Sequence, residues 1–91
     1  MHFSDYLGFE RQLGKFCGKG TKCNLQEEPR YGNYSSFIEA ANACKKDTSC
    51  NMVMDHSCDD QGPYELCMSL NTCHSGQGTC SYKKPGEQYF I

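Results

Sequence analysis

No tryptophan occurs in this chain of 91 residues, proline appears three times, and no apolar stretch is long. A membrane-spanning helix needs about 20 consecutive apolar residues, so no segment here spans a bilayer as a helix, and no membrane insertion is expected. Neither sign of charge dominates. Nine Lys and Arg against eleven Asp and Glu give a formal net charge of −2, which argues against a general binder of nucleic acid or anionic membrane. C-x-x-C is missing too: the numbers of residues between successive cysteines are five, twenty, five, seven, eight, five and six. Zinc sites usually place two ligands within a few residues so that both reach one ion, so no metal is expected. The chain has no G-x-S-x-G, no H-E-x-x-H and no glycine-rich phosphate loop. The expectation is therefore a protein that is not an enzyme and carries no cofactor.

Cysteine is abundant: eight residues, counted within the 37 % hydrophobic content, while mean hydropathy is −0.72. A single domain of this size buries too little surface for its apolar core alone to hold it firmly. Cross-links compensate by lowering the entropy of the unfolded chain. An even number of cysteines without metal spacing reads as four disulfides, and disulfides persist in an oxidising compartment, so the expected location is secreted and extracellular. Residues 1–8 lack the basic start and apolar stretch of a signal peptide, which suggests a mature chain whose leader has been removed.

The clearest local signal lies in the middle. Ser36 and Glu39 have the spacing of a capping box, and Phe37, Ala40, Ala41 and Cys44 fall on one helical face. Lys45 and Lys46 suit the negative end of the helix dipole. A helix over about 37–46 follows. Asn51–Asp55 reads as a short buried strand, and Cys80–Lys83 as a closing strand. Tyr64–Leu70 alternates, with Tyr64, Leu66, Met68 and Leu70 on one face. Gly14–Cys17 is the start of a first strand, whereas 24–36 and 73–79 read as loops. The fold class expected is α+β: a small disulfide-rich domain with one helix packed on a short antiparallel sheet. Residues 1–13 are expected as an N-terminal arm, 14–84 as the domain and 85–91 as a C-terminal tail.

The run Ser36–Cys50, continued by Met52-Val53-Met54, Cys58, Tyr64-Glu65-Leu66-Cys67 and Cys80-Ser81-Tyr82-Lys83, resembles PAN/apple-type domains, closest to short cysteine-rich modules of invertebrate secreted proteins. The likeness covers roughly residues 14–84. In that family the helix cysteine is tied to the central strand and the next cysteine closes a hairpin-like loop. The resemblance therefore implies Cys44–Cys67 and Cys50–Cys58. It also implies Cys17–Cys80 joining the termini, with Cys23–Cys73 as an additional bridge; the partners of Cys17 and Cys23 among Cys73 and Cys80 can be exchanged.

Asp55-His56-Ser57-Cys58-Asp59-Asp60 is the densest polar cluster. It reads first as a turn in which Asp side chains cap backbone N–H groups, and less readily as a calcium loop completed by Glu65 or as a histidine base. Asn33-Tyr34-Ser35 fits the N-glycosylation pattern. Tyr31, Tyr34 and Arg30 form one candidate contact group, and Tyr82, Lys83 and Lys84 another, because amphipathic rings and cations anchor interfaces; the other reading for Tyr82, as for Tyr64, is packing within the sheet.

PAN-like modules bind proteins or carbohydrates, so the resemblance implies a recognition module for an extracellular protein or glycan. A secreted toxin or inhibitor of an ion channel, receptor or protease is the alternative, and an adhesive or matrix component a weaker one.

Overall fold

The structure, a computed structural model, describes residues 6–18, 30–69, 71–74 and 78–86. Its elements in chain order are β1 (Glu10–Leu13), β2 (Lys15–Gly18), β3 (Arg30–Tyr34), α1 (Phe37–Lys46), β4 (Met52–Asp55), β5 (Tyr64–Cys67), β6 (Asn71–His74) and β7 (Cys80–Lys83). Five strands form one antiparallel sheet in the order β1-β7-β4-β5-β3, and β2 pairs with β6 as a separate antiparallel ribbon. This is a small α+β domain with one helix on antiparallel sheet, as the sequence led us to expect.

The helix occupies the expected span. Ser36 is extended (φ −136°, ψ 155°) and its hydroxyl accepts the Glu39 N–H at 3.2 Å, satisfying one of the first-turn donors. The Glu39 carboxylate does not reach back to Ser36; it accepts instead from the Ser35 hydroxyl at 3.1 Å. Ala40, Ala41 and Cys44 are fully buried against the sheet. Their small side chains let the helix lie close to Val53, Tyr64, Leu66 and Tyr82. Around Phe37 four rings gather: Tyr82 at 4.8 Å, Tyr6 at 5.4 Å, Phe9 at 5.7 Å and Tyr64 at 5.9 Å between centroids.

The opposite face of the sheet is covered by the ribbon. Met52 and Met54, alternating with Val53 along β4, point there and pack with Cys17, Cys67 and Phe16. The domain is thus three layers, helix on sheet on ribbon. Gly14 makes the layer change possible. With φ 69° it turns the chain directly from β1 into β2, and its N–H is held by the Thr79 carbonyl at 2.9 Å.

Several expectations need correcting. Residues 10–13, expected within an arm, are the strand β1 on the sheet edge, and Phe9 just before it is core. Residues 30–34, expected as loop, pair with β5 across a register shift between Tyr31 and Tyr34. Gly32 and Asn33 disguise this strand, but Tyr31 and Tyr34 pack against the core on either side of them. Residues 71–74 pair with β2, so the expected loop begins later. The strand expected over Tyr64–Leu70 stops at Cys67. Tyr64 and Leu66 share one face as expected, and that face meets the helix, but Met68 is 48 % exposed, and Leu70 lies outside the described residues.

The disulfides between described residues are Cys17–Cys67, Cys44–Cys50 and Cys58–Cys80. These replace the expected Cys44–Cys67, Cys50–Cys58 and Cys17–Cys80, for geometric reasons. Cys44 lies on the helix face that meets Tyr64 and Leu66, whereas Cys67, next along β5, points through to the ribbon and meets Cys17. After the helix the chain reverses, with Cys50 N–H on the Asp47 carbonyl at 2.9 Å, bringing the Cα atoms of Cys44 and Cys50 to 5.1 Å. Cys58 folds back on Asp55, which is in register with Cys80. Cys73 is disulfide-bonded as well. The expected Cys23–Cys73 bridge involves Cys23, which lies outside the described residues.

Candidate functional site

Lysines gather where the helix ends. Lys45 and Lys46 occupy its last turn and are exposed. Lys83 and Lys84 arrive from β7, because Lys83 is in register with Met52 at the start of β4, immediately after the helix-to-strand turn. Lys45, Lys83 and Lys84, with Thr48, Asn51, Pro85 and Gly86, line an open depression of about 440 Å³.

Its floor is held by hydrogen bonds rather than by loose side chains. Asn51 donates its backbone N–H to the Cys67 carbonyl at 2.8 Å and its side-chain amide to the Met68 carbonyl at 2.7 Å. The Lys84 backbone N–H meets the Asn51 carbonyl at 3.0 Å, while its ammonium reaches the carbonyls of Asp47 and Cys50, both at 3.2 Å. Lys84 therefore caps the helix-terminal turn. That leaves Lys83, which is exposed, and Lys45, whose ammonium lies 5.9 Å from the Phe9 ring centroid, on the rim.

Two acidic residues share this end: Glu10 on β1 is in register with Lys83, and Asp47 follows Lys46 in the turn that Lys84 reaches. Asp55, Asp59 and Asp60 sit at the other end of β4, beside Tyr64. A net charge of −2 averages over the lysines grouped at one end of β4 and the aspartates grouped at the other, where Arg11 lies 3.8 Å from Asp60. Asp55 is buried. Its two carboxylate oxygens accept the N–H groups of Cys58 at 3.2 Å and Asp60 at 3.0 Å, and Asp59 accepts that of Gln61 at 3.0 Å. The cluster is thus the capped turn. Burial raises the Asp55 pKa, partly opposed by the Asp60 N–H. Among the described residues no group of three or more His, Cys, Asp and Glu is placed to hold a metal ion.

The remaining candidates are dispersed. Arg30 meets the Glu65 carboxylate at 3.2 Å, and His56 meets the same oxygen at 2.6 Å, an exposed network joining β3, β5 and the end of β4. Tyr31 is half-buried and its hydroxyl donates to Asp47; Tyr34 is half-buried with its ring over Gly32. Of the two readings the sequence allows for Tyr82, packing in the sheet holds and the contact role does not. The residue is 0 % exposed on β7, between β1 and β4, so it offers a partner no surface. The sequence reading missed Lys45 as part of a site, since its place in the last helical turn had a sufficient explanation in the dipole.

Two buried phenols, Tyr64 and Tyr82, and the half-buried Tyr31 give the domain a defined alkaline limit. Burial and then the hydrogen bond to Asp47 raise Tyr31 to about 12; burial and the nearby Asp55 raise Tyr64 to about 12. Burial also raises Tyr82. A folded-state pKa above the unfolded value near 10 means stability that is complete below about pH 10 and is lost as pH rises through 12. Asp47 has the opposite sign: lowered by the Tyr31 hydroxyl and the Ser49 N–H, its contribution is lost as the solution turns acid. The expected melting temperature is flat from neutral pH to about 9 and falls steeply between about 10 and 12. Ultraviolet titration should show these tyrosinates ionising late; ionisation of all six tyrosines near pH 10 contradicts it.

The chain matches no protein-family model, no curated protein and no solved structure. Its disulfides fit an extracellular setting, and among the described residues no helix is long and apolar enough to cross a membrane.

Proposed function

We propose that this chain is a secreted, non-enzymatic recognition module that binds an extracellular protein or carbohydrate through its basic end. The observation that carries the reading is the convergence of Lys45 and Lys83 from two elements on one depression, over a floor fixed by Lys84 and Asn51. A surface ordered before binding loses less entropy on association, and clustered lysines favour a partner rich in carboxylate or sulfate. The resemblance to PAN/apple modules supports the reading through its layout, a capped helix on an antiparallel sheet. The helix-to-strand bridge of those modules is replaced here by Cys44–Cys50.

The test is binding of the whole chain to an array of sulfated, uronate and neutral glycans beside immobilised matrix proteins, at low and physiological salt. An anionic partner is expected, weakening as salt rises. The double variant Lys45→Ala, Lys83→Ala should bind it about tenfold or more weakly. Its melting temperature should fall by only a few degrees, since both lysines are exposed, Lys84 is left in place, and only the Lys45 contact with the Phe9 ring is given up. Retention of nothing on either array, or equal binding by the variant, overturns the proposal. A change in channel current or protease activity in their place would favour the toxin or inhibitor alternative.

A further inference from the structure

We infer that Asn33 is an N-glycosylation site and that its glycan covers the edge of β3 left unpaired among the described residues; the inference rests on the secreted reading above. The sequon Asn33-Tyr34-Ser35 is carried on the last strand of the sheet, with β5 on its one paired side. At this place the strand leaves its ladder. Register is lost between Tyr31 and Tyr34, and Gly32 has φ 82°, a conformation that would drive any Cβ to 2.9 Å from the Tyr34 ring. The bulge leaves Gly32 and Asn33 exposed while Tyr31 and Tyr34 on either side pack inward. A sugar on Asn33 therefore displaces no core contact.

The transfer requires a polyprenyl diphosphate-linked oligosaccharide as donor. The Asn33 side-chain nitrogen forms a bond to the anomeric carbon of the first N-acetylglucosamine, the carbon–oxygen bond to diphosphate breaks, and polyprenyl diphosphate leaves with that electron pair. One amide proton passes to a base of the transferase.

Two consequences follow from position. An edge strand is a template for pairing with another chain, and a bulky hydrated glycan there prevents it. Asn33 also adjoins Tyr34, which is in register with Tyr64 at the acidic end of the sheet, whereas Lys83 is in register with Met52 at the other. The glycan leaves the lysine depression open.

The experiment expresses the whole chain behind a cleavable leader in eukaryotic secretory cells. Secreted protein should carry an added mass that peptide-N-glycosidase removes, leaving aspartate at position 33. Asn33→Gln should be secreted without that mass. Enzymatically deglycosylated protein should keep its melting temperature and self-associate more readily in sedimentation at matched concentration. Secreted protein with the mass of the bare chain overturns the inference and leaves the recognition proposal intact. Retention and degradation inside the cells, for wild type and Asn33→Gln alike, overturns the secreted reading and the inference with it. A glycosylated protein whose self-association is unchanged by deglycosylation overturns the edge-covering role.

Discussion

Serine at both Cys17 and Cys67 is expected to lower the unfolding free energy by about 3–4 kcal/mol, the largest loss from removing any of the three described bridges. The bond joins positions 50 residues apart, against 22 for Cys58–Cys80 and 6 for Cys44–Cys50. Loop-closure entropy for about 50 residues is worth roughly 4 kcal/mol, and the two shorter links already restrain part of that loop. The same reasoning gives about 3 kcal/mol for Cys58–Cys80 and about 2 for Cys44–Cys50. The native side adds a local signature. Cys17 and Cys67 are wholly buried with Met52 and Met54, and the Cys17 N–H donates to the Met54 sulfur at 3.1 Å. Without the bond the β2–β6 ribbon loses its tether to the sheet, so its amides should exchange with solvent well before those of β4 and β7. Denaturant unfolding of the three double-serine variants checks the order. A Cys17/Cys67 variant no weaker than the Cys44/Cys50 variant would contradict it.

That same bridge shows where the sequence was legible and where reading by resemblance overrode it. The alternation of Tyr64 and Leu66 already placed Cys67 on the far side of β5 from them. The helical spacing of Ala40, Ala41 and Cys44 already placed Cys44 toward the apolar face. Taken together these two periodicities set Cys44 and Cys67 on opposite sides of one sheet, yet the family pattern joined them. The helix and the strands β4 and β7 were readable because cap, charge and apolar run agreed over a few consecutive residues. β3 was not, because Gly32 and Asn33 interrupt it, and its pairing is decided by β5, 30 or more positions along the chain. β6 was hidden in the same way by its dependence on β2. The candidate site was half visible. Lys83 and Lys84 stood out as a pair, but Lys45 joins them only after Lys83 and Met52 fall into register. Net charge averages over the whole chain and so conceals a basic end.

Tyr82→Ala should cost about 3–5 kcal/mol, while Tyr82→Phe should stay within about 1 kcal/mol of wild type. The ring is fully buried in β7, between β1 and β4, and lies 4.8 Å from Phe37 and 5.0 Å from Tyr6. Truncation removes contacts on both sides and leaves a cavity under the helix. The hydroxyl contributes little by comparison, since its contact with the Asp60 carboxylate is long at 3.4 Å and its other partner, the Arg11 guanidinium, is partly exposed to solvent. Pairing Tyr82→Ala with Phe37→Ala in a double-mutant cycle should return a coupling of about 0.5–1.5 kcal/mol, because the two rings share one cluster. The contrast with Lys83 is the informative one. The two residues are neighbours on β7 and alternate across its faces, so one should govern melting without direct effect on the ligand, the other binding without effect on melting. Chemical denaturation of the tyrosine variants beside the lysine variant measures both. If Tyr82→Phe were as damaging as Tyr82→Ala, the hydroxyl rather than the ring would be holding the sheet to the helix, and the aromatic cluster would lose its assigned role.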